Sequence, residues 1–234
     1  MYLSFISDED LVTAVDKVLA VIKKANADAE KALYESVIDP FSAIFDGVFQ
    51  SLSLNEWLKL ERTRQIQKTM QNSIGEFHQD VLGSIKGWSN LGRGGLLDVV
   101  NIDKKIVAEV KNKYNTTKGN HKIVIYKDLF HFLYKPGNDG YVGYYVEIIP
   151  KGKKVYNKPF TPSDNEIHLR LAANERIRQI DGKSFYEIAT GSKTALMDLY
   201  VVLPEIICDR LNKKFDKKVC KEYFTDLFKK VYEF

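Results

Sequence analysis

The chain has 234 residues, 44% of them hydrophobic and 28% charged, and a formal net charge of +4. This is the make-up of one large globular domain, or a domain with an extension, and it excludes disordered, fibrous and disulfide-built chains. No window approaches the ~20 apolar residues of a membrane span, and Asp8, Glu9 and Asp10 stand where a secretion signal would be basic, so a cytoplasmic protein is expected.

Residues 8–26 have the apolar spacing of an amphipathic helix, with Ser7 as its cap. Residues 40–50 and 54–86 continue helical, the latter ending near Gly87. A glycine-rich loop over 89–95 leads into two short apolar runs, 95–100 and 105–111, read as strands joined by a turn at Asn101–Lys104. A helix over 121–134 and a strand from Tyr141 to Ile149 follow. Then come a polar loop over 150–164, a short strand over 166–171 and a short helix over 172–180. Helices over 192–211 and from about 219 close the chain. Helices before, within and after a mixed sheet give an α/β class. Cys208 and Cys220 lack metal or redox spacing and are expected to be buried free thiols.

Charge is unevenly placed. Residues 1–60 hold five Lys and ten acids, whereas the remainder holds 30 basic and 21 acidic residues. From Lys111 to Lys127 there are five Lys and no acid, and from Lys151 to Lys158 four Lys and no acid. Such runs suit a polyanion.

The acids that sit wrongly for a strand are Asp98 and Glu109, with Lys111 close behind. A charge in a half-buried strand is costly unless something pairs with it. With an even turn centred between Ile102 and Asp103, Asp98 lies opposite Val107. Alternation then puts Asp98, Glu109 and Lys111 on one face, and Ala108 and Val110 on the other. Diagonal cross-strand neighbours, roughly 7–8 Å apart, can share one hard cation. Mg²⁺ there would polarise a phosphoryl oxygen and acidify an attacking water, which is the chemistry of phosphodiester hydrolysis. Lys111 would steady the developing charge or orient the water, and the Val110 carbonyl is a further candidate ligand.

This segment resembles the catalytic core of the PD-(D/E)xK nuclease superfamily. Asp98 matches the first acid, Glu109 the second and Lys111 the lysine, although Leu97 stands where proline is common. The stretches 109–121, 157–164 and 181–191 are similar to a family of small type II restriction endonucleases that cut GGNCC or GGWCC sites, and the resemblance runs from about Glu61 onward. It implies a restriction-endonuclease-like core, a mixed β-sheet flanked by helices with a helical N-terminal region. On that reading residues 1–234 form a single nuclease domain, with 1–86 mainly helical and 87–234 catalytic and DNA-recognising. It further implies Mg²⁺ as cofactor, 5′-phosphate products, double-stranded DNA as substrate and a two-fold homodimer matching a palindrome. Relatives in the superfamily place an acid on the helix before the first metal-binding strand, which makes Glu76 a candidate third ligand, ahead of Glu61, with Gln79 and Asp80 weaker. Candidates for DNA contact are Arg93, Lys113, Asn115, Thr116, Lys118, His121, Lys153, Lys154 and Lys158.

Other motifs fail. Gly191-Ser-Lys-Thr194 lacks the Gly-Lys pair of a P-loop, Gly92-Arg-Gly-Gly95 lacks a dinucleotide fingerprint, and the four histidines lack paired metal spacing. Two alternatives stay open: a nuclease that reads DNA structure, as repair enzymes and resolvases do, and a non-catalytic DNA-binding protein whose acids are structural.

Overall fold

The computed structural model describes residues 1–35, 38–92, 94–164, 169–214 and 216–232. The chain divides into two compact units, Asp16–Ile74 and the combination of Met1–Val15 with Gly75–Phe234. The division falls inside two helices, α1 (Asp8–Ala27) and α4 (Leu54–Gly83).

Both helices start as their sequences dictate. The Asp10 N–H donates to Ser7 Oγ at 3.0 Å, and the Ser7 hydroxyl donates back to Asp10 Oδ2 at 2.6 Å. Ser53 and Glu56 close the reciprocal capping box of α4. The smaller unit also contains α2 (Ala29–Glu35) and α3 (Pro40–Gln50). Its internal ties centre on Asp46, which accepts from Trp57 Nε1 at 3.1 Å and from Arg64 at 2.9 Å.

The larger unit is built on a six-stranded sheet. In chain order its strands are β1 (Trp88–Asn90), β2 (Val99–Asn101), β3 (Ile106–Lys113), β4 (Val142–Ile149), β5 (Asn157–Pro159) and, after a small hairpin, β8 (Ile177–Asp181). The hairpin pairs β6 (Ser163–Asp164) with β7 (Leu169–Arg170). Sheet order is β1-β2-β3-β4-β8-β5; β3, β4 and β8 run parallel and the outer pairings are antiparallel. The crossover between β3 and β4 is α5 (Gly119–Leu133). Helices α6 (Gly182–Thr190), α7 (Ala195–Arg210) and α8 (Lys217–Val231) complete the unit.

Strand alternation sorts the core. Val107, Tyr145 and Ile177 pack with Ile125, Leu129 and Leu133 of α5. The intervening residues turn the other way, where Tyr144 meets Phe185 of α6 at a ring distance of 5.7 Å. The expected α/β class with a mixed sheet and helical N-terminal region is what the chain adopts.

Two expectations of secondary structure are corrected. Residues 172–180, read as a helix, contain most of β8, a strand between β4 and β5; the helix-favouring Glu, Arg and Gln there yield to pairing on both sides. Residues 95–98 are not strand, and residues 89–90, read as loop, belong to β1. The expected strand over 166–171 is described only at Leu169–Arg170, because 165–168 lie outside the described residues, as does His168. Cys208 is half-buried rather than buried. Among the described residues, no helix is long and apolar enough to cross a membrane.

Candidate active site

Glu109 and Lys111 lie on β3 and point to the α5 side of the sheet, while Ala108 and Val110 are buried on the other. Asp98 arrives by a different route from the one that alternation predicts. The turn is Ile102–Lys105, with Lys105 in the left-handed region at φ 53°. Asn101 therefore pairs with Ile106 and Val99 with Ala108, a shift of two residues from the expected register. The Asp98 N–H also reaches the Ala108 carbonyl, at 3.0 Å, so two residues of the first segment face one of β3. That is the pattern of a β-bulge. Its effect shows at Leu97, which a regular strand would send to the α6 side but which packs in the α5-side cluster.

The bulge aims the Asp98 carboxylate along the edge of β3. β2 has ended there, so the main-chain groups of Val110 have no ladder partner. Asp98 Oδ2 accepts the Val110 N–H at 2.7 Å, and Gln79 Nε2 on α4 reaches the Val110 carbonyl at 3.5 Å. The main chain of Asp98 is pinned on both sides, since its carbonyl also accepts the Leu91 N–H at 2.8 Å. The loop before it folds back tightly: a Cβ on Gly95 would lie 2.6 Å from Leu91 Cβ and 2.8 Å from the Leu97 carbonyl oxygen.

Lys111 Nζ stands 2.6 Å from Glu109 Oε1 and 4.0 Å from Asp98 Oδ2. Two carboxylates thus share one ammonium. Burial pushes the Glu109 carboxyl up to about 7, helped by repulsion from Asp98 and, more weakly, Asp128 on α5, and only partly offset by Lys111. Burial also raises the Asp98 carboxyl, against the pull of Lys111 and the Val110 N–H. The pair is short of positive charge, which is the condition a divalent cation relieves.

The donor set fits a hard cation. Mg²⁺ is held by one or two carboxylates plus waters and phosphate oxygens, and Asp98, Glu109 and the Val110 carbonyl are all oxygen donors at one strand edge. Among the described residues no group of three His, Cys, Asp or Glu has metal-holding geometry. Glu76 lies on the exposed face of α4, one turn before Gln79. Glu61 is ion-paired with Arg64 at 2.9 Å.

Sequence reasoning missed a second polar cluster. Glu147 on β4 is the register partner of Lys111 and only 1% exposed. It accepts from Lys122 of α5 at 3.1 Å, from Gln179 of β8 at 2.9 Å and from the Tyr156 hydroxyl. Lys122 Nζ also lies 5.3 Å from the Tyr145 ring centroid. Pro150 ends the apolar run of β4, but nothing in that run of Tyr, Val and Ile marks Glu147 as the meeting point of β4, α5, β8 and the loop before β5.

Because β3 and β4 are parallel, the loops after them leave at the same end of the sheet, where ligands of parallel α/β sheets bind. The Tyr114 N–H bonds the Ile149 carbonyl at 3.0 Å and ties the two loops together. Lys113 ends β3. Asn115 and Thr116 are exposed in its turn, and Thr116 Oγ1 donates to the Lys113 carbonyl at 2.7 Å. Lys118 is exposed at the N-cap of α5 and His121 is exposed in its first turn. Lys153 and Lys154 are exposed in the second loop, and Lys158 is exposed on β5. Arg93 lies outside the described residues. The segment 181–191 is a capped helix: Asp181 caps α6 through the Ser184 N–H at 3.0 Å, and Gly191 ends it at φ 79°.

The Eco47II restriction endonuclease family model matches residues 3–212. The type II restriction enzyme Eco47II of Escherichia coli is 42% identical over 233 residues, spanning 97% of each chain. The type II restriction enzyme Sau96I of Staphylococcus aureus is 32% identical over 222 residues, covering 93% of this chain and 84% of its own.

Proposed function

The chain belongs to the Eco47II restriction endonuclease family, a family of site-specific restriction enzymes, and from that premise we propose how it cuts DNA. It hydrolyses both strands of a short palindrome of the GGNCC kind, depends on Mg²⁺ and leaves 5′-phosphates. It does so as a homodimer in the cytoplasm, and the whole chain serves as one nuclease domain.

The observation that carries the reading is the pair of raised carboxylates sharing Lys111 at the open edge of β3. Asp98, Glu109 and the Val110 carbonyl hold the metal. When bound, the ion supplies Lewis-acid activation of the phosphoryl oxygen and a more acidic water. The protein's own part is geometric and electrostatic. Gln79 holds the Val110 carbonyl in place. Glu76, one turn before Gln79 on α4, is the candidate third acid. Lys111 Nζ stabilises charge developing on the phosphoryl oxygens and orients the attacking water. Lys113, Lys118, His121, Lys153, Lys154 and Lys158 bind phosphates, while Asn115 and Thr116 approach base edges; Arg93, outside the described residues, remains a candidate for DNA contact from the sequence alone.

The test is a plasmid digest with mapped ends, run with wild type and Asp98→Ala. Discrete fragments from wild type, and none from a variant that still retards the same DNA, are expected. Cutting by Asp98→Ala at the wild-type rate would remove the assignment. A smear of products would favour a structure-reading nuclease instead.

A further inference from the structure

α3 is capped at both ends and buries nothing. Asp39 accepts the N–H groups of Phe41 and Ser42 at 3.0 and 3.3 Å, Pro40 opens the first turn, and Ser51 closes the helix at φ 55°. Yet Phe41, Ile44, Phe45, Val48 and Phe49 are 73, 62, 76, 75 and 90% exposed, with Leu54 at 71% just beyond. Spacings of three and four put them on one face of the helix. An 11-residue helix is marginal on propensity alone, and an apolar face of this extent marks a contact surface. Asp46, turned away from that face, anchors the helix to Trp57 and Arg64. Beside the ridge lies a groove of about 460 Å³, with Phe41, Phe45 and Trp57 on its walls and the paired charges of Asp46, Glu61 and Arg64 along its far side.

We infer that this face is where a second copy of the chain docks, with the two α3 helices meeting about a two-fold axis. Size selects that occupant first. The six exposed side chains offer about 800 Å² per chain, so two copies bury roughly 1,600 Å², the area of a stable interface. Charge selects it second. Residues 38–54 hold two Asp and no Lys or Arg, so neither nucleic acid nor an anionic lipid surface is attracted. Shape selects it third. A self-matching contact needs ridge and groove on the same patch, and here they are adjacent. The inference rests on the reading that both strands of a palindrome are cut, which calls for two symmetry-related sites.

The test is the solution mass of the full chain without DNA, measured by light scattering. Wild type is expected at twice the 26.9 kDa chain mass. The double variant Phe45→Glu with Phe49→Glu is expected at the single-chain mass, with an unchanged circular dichroism spectrum. The milder Phe49→Ala covers the case in which the double variant misfolds; its dimer dissociation constant rises at least about tenfold. A wild type that stays monomeric at micromolar concentration, or variants that dimerise as tightly as wild type, would overturn the proposal. The plasmid digest separates the two claims. Discrete fragments alongside unaffected dimerisation sink this surface alone, while random cutting by a dimer that α3 variants dissolve sinks the palindrome reading alone.

Discussion

Glu109, half-buried, and Glu147, fully buried, are carboxylates on neighbouring strands of one sheet, and their surroundings differ sharply. Glu147 has three donors, Lys122 of α5, Gln179 of β8 and Tyr156 from the loop before β5, and is closed off from solvent. Glu109 has Lys111 and an adverse neighbour in Asp98, and its carboxyl rises to about 7. A buried acid with a full set of donors holds a fold together. A buried acid left short of positive charge is poised to take a cation or a proton.

Substitutions should pull the two acids apart. Asp98→Ala and Glu109→Ala are expected to lower the cleavage rate by on the order of 10³-fold or more, with little change in DNA affinity, as measured by single-turnover digestion and band retardation. Lys111→Ala should cost on the order of 10²- to 10³-fold. Glu147→Ala should act on stability instead, by roughly 3 kcal/mol in urea unfolding, because it strands Lys122. If Glu147→Ala leaves stability untouched but kills cleavage, the division between the two acids fails.

Subtler tests follow pH and salt. The folded Glu109 keeps its proton to about 7, whereas the ordinary value is 4.5. In that window the folded state binds more protons than the unfolded one, so stability falls as pH rises. Metal-free wild type should therefore lose melting temperature between pH 5 and pH 8 relative to Glu109→Gln, and Mg²⁺ should restore it in wild type only. Lys153→Ala or Lys154→Ala should each flatten the salt dependence of DNA binding by about one unit of slope without changing the site cut. Glu76→Gln is expected to have the smallest effect, a drop of a few-fold in cleavage that extra Mg²⁺ repairs.

Legibility in the sequence followed locality. Helix α3 matches residues 40–50 because Asp39-Pro40 states its start. Asp98, Glu109 and Lys111 were visible because all three sit within one hairpin. Gln79 gives no comparable signal: it is neutral, and its contact is with a main-chain carbonyl 31 residues away. Glu147 depends on partners at 122, 156 and 179, which only the folded sheet brings together. β8 was misread because its flanks favour helix while its position between two strands decides otherwise.

The bulge at Asp98 gives that residue a second task. By accepting the Val110 N–H where β2 has run out, its carboxylate acts as a stopper on an open strand end. An alanine there removes the charge and also bares a backbone donor to any passing strand, inviting association between molecules. Asparagine keeps an acceptor of the same length in place. For trapping an uncut DNA complex, Asp98→Asn is therefore the cleaner inactive protein.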